Sequence, residues 1–279
     1  MADLIIFKHH FSINKSHQTS MKLKDNDKTV KIQPLITIII VVLNGSKTLE
    51  KSILSVINQS YKNLELIIID GGSIDGTLDI IRKYEHAIEY WVSEPDNGVY
   101  DAWNKAIAIA SGNWIAFLGS DDIYLDGAID AYVNLINGFG DRSVDYISSR
   151  INLVNGTKMI RSVGQKWNWK SFKKYMNVAH VGSMHSSKLF EKYGLYDTAY
   201  KISGDYEMLL RPKENLQAEF LNLITVEMSV KGLSNNNSSK AFDEEARIKI
   251  SHKLNSKFSA DLNATYKKLK SFVRSVVWY

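Results

Sequence analysis

The 279-residue chain has no cysteine, which excludes a disulfide framework and any zinc site built on thiolates. No apolar run is long enough to cross a bilayer. The longest, Leu35 to Leu43, falls far short of the roughly 20 residues a spanning helix needs. The N-terminus is polar around its few apolar residues and lacks a secretory-signal pattern. Two nucleotide-binding motifs are missing as well. Leu43-Asn-Gly-Ser-Lys-Thr48 is not a G-x-G-x-x-G turn and Gly71-Gly72 lacks a third glycine, which argues against hydride transfer on a dinucleotide. The absence of a G-x-x-x-x-G-K-[ST] loop argues against a P-loop NTPase. Charge is only mildly unbalanced, at +5. That suits an anionic ligand or an anionic membrane surface as well as nucleic acid. The reading these absences leave is a cytoplasmic protein, peripheral on the inner face of the cell membrane.

What is present is an alternation of short apolar runs and amphipathic stretches. Residues 1–34 hold no sustained period; His9, His10 and His17 lack ligand spacing, and the segment reads as a flexible arm. Ile36 to Leu43 is a β-rich run. Ser46 is placed to cap a helix through about Gln59, with Leu49, Ile53, Val56 and Ile57 on one stripe. Leu64 to Ile69 is a second run, Asp75 or Thr77 opens a helix, and Ile88 to Val92 is a short strand. A helix from about Val99 to Ala110 leads into a strand at Trp114. This pattern predicts right-handed βαβ units and an α/β fold with a mostly parallel sheet flanked by helices. Beyond Asp122 the alternation weakens. Val144–Ser149 and Lys158–Val163 flank the hairpin signal Asn155-Gly156, helices follow near Ser187–Tyr193 and from Gly204, and Glu219–Val230 reads as a strand before a polar loop at 232–239.

Polar groups recur where the apolar runs stop. Trp114-Ile-Ala-Phe-Leu-Gly-Ser-Asp-Asp-Ile-Tyr-Leu125 ends a buried-strand pattern on two adjacent carboxylates, Asp121 and Asp122. Asn44-Gly-Ser46, Asp70-Gly-Gly-Ser73 and Glu94-Pro-Asp-Asn-Gly98 follow the three strands before it. Any one of these is an ordinary turn. Four together would crowd the C-terminal edge of a parallel sheet, which is its ligand crevice. Paired acids there suit a hard divalent cation that shares its coordination with substrate phosphates; the alternative is a helix N-cap.

The last segment is basic. From Ala246 to Tyr279 there are eight Lys or Arg against the single acid Asp261, with Tyr266, Leu269, Val273, Val276 and Val277 at helical spacing between them. That is the pattern of an amphipathic helix on an anionic membrane surface. A terminal helix packed on its own domain with a solvated basic face fits equally.

Four segments in order carry a family resemblance: Ile-Thr-Ile-Ile-Ile-Val-Val-Leu-Asn (36–44), Ile-Asp-Gly-Gly-Ser-Ile-Asp-Gly-Thr (69–77), Ser-Glu-Pro-Asp-Asn-Gly-Val-Tyr-Asp-Ala-Trp-Asn-Lys (93–105) and Gly-Ser-Asp-Asp (119–122). The chain resembles the family 2 inverting glycosyltransferases of GT-A fold over about 35 to 232, and within them the bacterial enzymes that build capsule, exopolysaccharide or O-antigen repeats. The resemblance implies a GT-A domain over 35–239, with a nucleotide-sugar half at 35–123 and an acceptor half at 124–239, followed by a basic helical tail at 240–279. It implies a UDP-sugar donor of hexose or N-acetylhexosamine, Mn²⁺ or Mg²⁺ as cofactor, a lipid-linked saccharide acceptor, an anionic membrane surface met by the tail, and no nucleic acid. Asp122 matches the last acid of the metal-binding D-x-D motif, here Ser120-Asp121-Asp122, with Ser in place of the first acid. Asp121 would face the ribose or lie just behind the metal.

Val41, Asn44, Asp70, Asp96, Asn104 and Lys105 are implied on the nucleotide-sugar side; Lys105 reads equally as a solvated helix residue. Many relatives carry Asp-Asp-Gly-Ser where this chain has Asp70-Gly71, so the acid that reads the base is missing at 71. Gly204-Asp-Tyr-Glu207 matches the motif that supplies the catalytic base, with Asp205 first and Glu207 second; Asp205 as a helix N-cap is the structural alternative. His180 is implied near the acceptor or a phosphate, against a purely structural role. Trp167 and Trp169 are candidates either for stacking on an acceptor sugar or for the core. A sugar-nucleotide nucleotidyltransferase and a catalytically inactive scaffold of the same fold stand as alternatives.

Overall fold

The computed structural model describes residues 32–230 and 238–277. Most of the N-terminal arm and nearly all of the 232–239 loop lie outside these.

Four parallel strands form the first half: β1 (Ile36–Val42), β2 (Leu64–Asp70), β3 (Tyr90–Ser93) and β4 (Trp114–Gly119), in the order β3-β2-β1-β4. β1 lies between β2 and β4, with Val42 opposite Asp70 and Val41 opposite Gly119. Its run of isoleucines is explained by burial on both faces. Ile36, Ile38 and Ile40 point into one core and Ile39 into the other, as expected of a parallel strand covered by helices on both sides. The first core is roofed by α1 (Leu49–Ile57), α2 (Thr77–Lys83) and α4 (Ala128–Asn137). The second is roofed by α3 (Val99–Ile109), α6 (Ser187–Tyr193) and α7 (Gly204–Leu210), with α5 (Trp169–Phe172) contributing Phe172. Trp167 and Phe172 pack in this second core, so the core reading of Trp167 holds.

The sheet then changes character. β8 (Ser183–Ser186) runs antiparallel to β4, and β6 (Tyr146–Asn155), β9 (Ala218–Ser229) and β5 (Ile123–Tyr124) complete the order β8-β6-β9-β5, with β7 (Lys158–Val163) paired to β6 across the Asn155-Gly156 turn. β5 and not a helix follows Asp122, so Asp122 is not a helix cap. The helix expected from Ser46 starts only at Leu49. The Ser46 N–H is taken by Asp75 Oδ2 at 3.1 Å, and a turn closed on the Gly45 carbonyl occupies the intervening residues.

The segment expected as one tail is two helices, α8 (Ser238–Ser251) and α9 (Lys257–Val277). α8 is not a free appendage. Ile248 is fully buried in the second core, and α9 rests on α8 through Ala260 and Ala264 against Ala246, Phe242 and Ile250.

Ile40 has no exposed surface and sits in the central strand, whereas Ile74 is 94% exposed. Ile40→Ala is expected to cost about 2–5 kcal/mol in chemical denaturation, and Ile74→Ala to stay within about 0.5 kcal/mol of wild type.

Candidate active site

The strand order reverses between β1 and β4: the chain leaves β1 toward β2 and β3, then returns to β1's other side. Such a switch point opens a crevice at the C-terminal strand ends. The loops after β1 and β2 are stitched together there. Asp70 is fully buried, and its Oδ2 accepts from Gly72 N (3.0 Å), Ser73 N (2.8 Å) and Ser93 Oγ (2.6 Å). Its Oδ1 is buried with no hydrogen-bond partner among the described residues. Asn44 holds a left-handed φ of 54°, which Asn tolerates better than most residues. Its N–H donates to Ser73 Oγ at 2.6 Å, and its Oδ1 accepts from Ile74 N at 3.0 Å. Gly45 N donates to Thr77 Oγ1 at 2.9 Å, while Asp75 accepts from Ser46 and Thr77. Those bonds, the Thr77 hydroxyl first, hold the Asp75 carboxyl well below the usual range. Asn44 and Asp70 therefore build the rim of the crevice. Val41 is half-buried against the second core.

On the β4 side, Gly119 leaves a niche that both acids enter. A Cβ there would lie 2.4 Å from Asp122 Oδ2 and 3.2 Å from Asp121 Oδ1. Asp122 is buried, and its Oδ1 accepts from Ser229 N at 2.9 Å. Burial, then the neighbouring Asp121 carboxylate, push the Asp122 carboxyl up to about 7. Two carboxylate oxygens converging on one point, one of them reluctant to ionise there, fit a divalent cation that would relieve the repulsion. Among the described residues there is no cluster of three or more His, Cys, Asp or Glu. The protein would thus supply one or two carboxylates and a diphosphate the remaining ligands, as is common for Mg²⁺. Half-exposed Ser120 faces the loop after β1: its Oγ is 3.5 Å from where a Gly45 Cβ would be.

Across the crevice, the loop after β3 carries Asp96. Its Oδ1 accepts from Gly98 N at 2.8 Å. Its Oδ2 lies 2.6 Å from where a Cβ on Gly71 would stand, so the glycine at 71 is what admits the Asp96 carboxylate. Two neighbours expected on this side are otherwise engaged. Asn104 Nδ2 donates to the Tyr196 carbonyl at 2.8 Å and its Oδ1 accepts from Tyr196 N at 3.0 Å, so its amide is a backbone clamp. Lys105 pairs with Glu94 at 2.8 Å and Asp101 at 3.5 Å and holds the 94–101 segment.

The other wall is α7. Asp205 lies in its first turn, behind the N-cap Ser203, and its Oδ1 accepts from Tyr206 N at 2.8 Å. The Tyr100 hydroxyl, from α3, is 2.8 Å from the Ile202 carbonyl and 3.2 Å from Asp205 Oδ1, its one proton serving both acceptors. Burial pushes the Asp205 carboxyl up to about 6, against the lowering effect of the Tyr206 and Tyr100 bonds. A carboxylate poised there is suited to take a proton near neutral pH. The loop before α7 reaches the β3 loop directly, since Lys201 Nζ donates to the Asn97 carbonyl at 2.5 Å.

Glu207 and His180 are placed differently from what the sequence implied. Glu207 accepts from Arg211 Nη2 at 2.6 Å and lies 2.9 Å from His252 Nε2. Burial would raise its carboxyl, but the His252 and Arg211 contacts outweigh that and hold it below its ordinary range. A carboxylate locked in this way is a poor base, so Asp205 stands without a second. His180 stacks on Trp103 with centroids 4.8 Å apart, and its Nε2 is 2.9 Å from the Tyr196 hydroxyl. Burial, then His185, hold its imidazole well below the usual range. It is therefore a neutral member of an aromatic cluster, with no charge to offer a phosphate.

Sequence reasoning missed Thr77, Tyr100, His252 and Glu244. Thr77 and Tyr100 lie inside motifs already singled out. His252 and Glu244 act on residues more than 40 positions away, and no local pattern marks them.

The sequence profile of Glycosyl transferase family 2 matches residues 37–189. The PGL/p-HBAD biosynthesis glycosyltransferase of Mycobacterium bovis (strain BCG / Pasteur 1173P2) is 30% identical over 223 residues, covering 75% of this chain and 82% of that protein. Among solved structures, S. aureus TarS 1-349 in complex with UDP matches with a TM-score of 0.63 at 16% identity, over 81% of this chain and 68% of that one. The mannosyltransferase PcManGT from Pyrobaculum calidifontis, in complex with GDP-Man and Mn²⁺, matches with a TM-score of 0.59 at 15% identity, over 84% of this chain and 70% of that one. The arrangement of sheet and helices is of the GT-A type.

If the Asn104 amide is a clamp, Asn104→Ala strands a backbone N–H and C=O of Tyr196. The expected outcome is a loss of about 1–3 kcal/mol in stability, with donor KM within twofold of wild type in steady-state kinetics.

Proposed function

Because this chain belongs to glycosyl transferase family 2, we propose that it moves a hexose or N-acetylhexosamine, with inversion, from a UDP-sugar to a lipid-linked saccharide in the assembly of a bacterial surface polysaccharide. Membership removes the nucleotidyltransferase alternative. The observation that carries the reading is Asp205: a carboxylate raised to about 6, bonded to Tyr100 at the head of the donor-side helix.

In a single displacement the acceptor hydroxyl attacks the anomeric carbon and gives its proton to Asp205. The bond from that carbon to the diphosphate breaks, and UDP leaves with the electron pair. Asp122, with Asp121 beside it, would hold Mn²⁺ or Mg²⁺, which as a Lewis acid stabilises charge on the leaving diphosphate. A Mn²⁺ complex of the neighbour PcManGT supports that choice. UDP is supported by the complexes of TarS with UDP and UDP-GlcNAc. Uracil presents an N–H that needs an acceptor. The Asp96 carboxylate, lying over Gly71, supplies one where many relatives use an acid at the glycine's own position.

The membrane-facing part of the reading falls on α9. Phe258, Leu262, Tyr266 and Leu269 are 60–80% exposed along one side of it. Between Lys257 and Tyr279 five basic residues outnumber the single acid Asp261. Among the described residues no helix is long and apolar enough to cross a membrane. An apolar stripe in a basic helix suits the surface of an anionic bilayer, here the inner face of the cell membrane, where a lipid-linked acceptor would be met.

Four outcomes check this. UDP release over a panel of UDP- and GDP-sugars, with a membrane-extracted lipid acceptor, should need Mn²⁺ or Mg²⁺, pick one UDP-sugar, and be lost in Asp122→Ala and Asp205→Asn; a folded protein inactive with every donor would favour the scaffold. The pH profile of kcat should fall about tenfold per unit below about pH 6, because only ionised Asp205 accepts a proton. The same pKa has a stability consequence. It lies above the ordinary 3.8, so the stability tied to this proton is complete below about pH 4 and lost as pH rises through about 6. Asp205→Asn should thus be inactive yet more stable at pH 8, with the gain gone by pH 4. Finally, phosphatidylglycerol vesicles should co-sediment the wild type and phosphatidylcholine vesicles should not. Serine at positions 258, 262, 266 and 269 together should abolish the binding; binding that survives this change would sink the surface assignment.

A further inference from the structure

Glu244, on α8, is buried; Arg247 of the same helix approaches its Oε1 at 3.7 Å, but the carboxylate's hydrogen bonds go to another segment. Its Oε1 accepts from Lys201 N at 2.8 Å, and its Oε2 accepts from Ile202 N and Ser203 N, each at 2.9 Å. Three consecutive backbone donors are thus gathered on one acid, and the next residues are Gly204 and Asp205. A buried carboxylate is costly unless such donors satisfy it, and here three do. Other bonds of the 201–203 segment run through the Lys201 side chain, to the Asn97 carbonyl, and through the Ile202 and Ser203 carbonyls, so its three amides rest on Glu244. The Ser203 side chain makes no cap bond to α7. Its hydroxyl turns instead toward the Ala241 carbonyl, at 3.5 Å, again on α8. On the opposite side, the Tyr100 ring packs on Gly204, where a Cβ would meet it at 2.8 Å. Asp205 is therefore held between Tyr100 on one flank and the Glu244-bound loop on the other.

We propose that Glu244 is the positioning residue of the catalytic base, bracing the 201–203 backbone so that Asp205 stands at the donor crevice. This rests on the reading of Asp205 as the base. It assigns a role in turnover to α8, which lies beyond the residues matched by the family profile.

The groups that face Asp205 are Tyr100 from α3, Tyr146 from β6, Tyr196 from the loop after α6, and Glu244 from α8. Among them Glu244 contributes a negative charge, which raises the Asp205 carboxyl. Its removal therefore has two separable effects: the loop loosens, and the base becomes more acidic.

The test is Glu244→Gln, read beside Asp205→Asn in the full chain. Glutamine keeps the shape but turns an amide donor toward backbone donors and removes the charge. The expected result is a protein that still folds by circular dichroism, with kcat lowered about tenfold or more, donor KM within twofold, and the acidic limb of the kcat profile moved to lower pH. Ile248→Ala, a buried change on the same helix, should lower thermal stability and leave that limb in place. Should Glu244→Gln not fold, Glu244→Asp provides the readout: one methylene shorter, it keeps the charge and the limb but withdraws from the three amides, so kcat should fall. Wild-type kcat and an unmoved limb in folded Glu244→Gln, or wild-type kcat in folded Glu244→Asp, would overturn the proposal. If Asp205→Asn is inactive under those conditions, only the brace fails; if Asp205→Asn keeps wild-type turnover, the base assignment itself fails.

Discussion

A carboxylate with no exposed surface closes the mouth of the sheet. Asp70 gathers two backbone amides of its own turn and a hydroxyl from the end of β3, and the loop after β1 takes its position from that turn. Ser73, set by Asp70, receives the Asn44 amide; Thr77 and Asp75 receive the next two amides of the β1 loop. The physical need is general. Buried parallel strands end in backbone groups that water does not reach, and side chains must satisfy them. Here the same polar side chains shape a concave rim around Gly71, Gly119 and the paired acids. The glycines matter as much as the acids: Gly71 admits the carboxylate of Asp96 from the next loop, and Gly119 admits those of Asp121 and Asp122 just after it.

The donor half was legible because its signals are local. Continuous apolar runs, turn residues and strand length all lie within a few positions of one another, so the strands and the polar groups at their ends could be placed from the sequence. The hairpin at Asn155-Gly156 was readable for the same reason. What could not be read depends on distant partners. Asn104 and Lys105 look like ligand-binding residues in a motif, yet Asn104 is consumed by Tyr196, 92 positions on. Glu207 lies two residues from Asp205 in one acidic motif, and Arg211 together with His252, 45 positions away, distinguishes them. His180 is polar by type but belongs to an aromatic core assembled from Trp103, Phe117 and Tyr196.

The C-terminal segment shows how composition can mislead about boundaries. Its basic charge and apolar stripe suggested one helix, with membrane docking and packing on the domain as rival fates. The two helices pack differently. α8 sinks Ile248 into the core and sends Glu244 and His252 inward. α9 covers α8 with alanines and leaves Phe258, Leu262, Tyr266 and Leu269 outside. Two of its lysines, Lys267 and Lys268, are spent on Glu245 and Asp243 and tie the pair together.

The family match ends at residue 189, short of both α7 and α8. Up to that point the crevice is built by short-range loop contacts, whereas Asp205 and the backbone before it are held by long-range ones. A polypeptide ending at 237 would keep the paired acids and the Asp70 turn, and even Asp205 itself, but the backbone leading into α7 would have three amides with nothing to bind. On the proposed reading, such a fragment would keep the means to hold a substrate and lose the means to transform it, and the difference would lie in a helix whose own sequence carries no sign of either task.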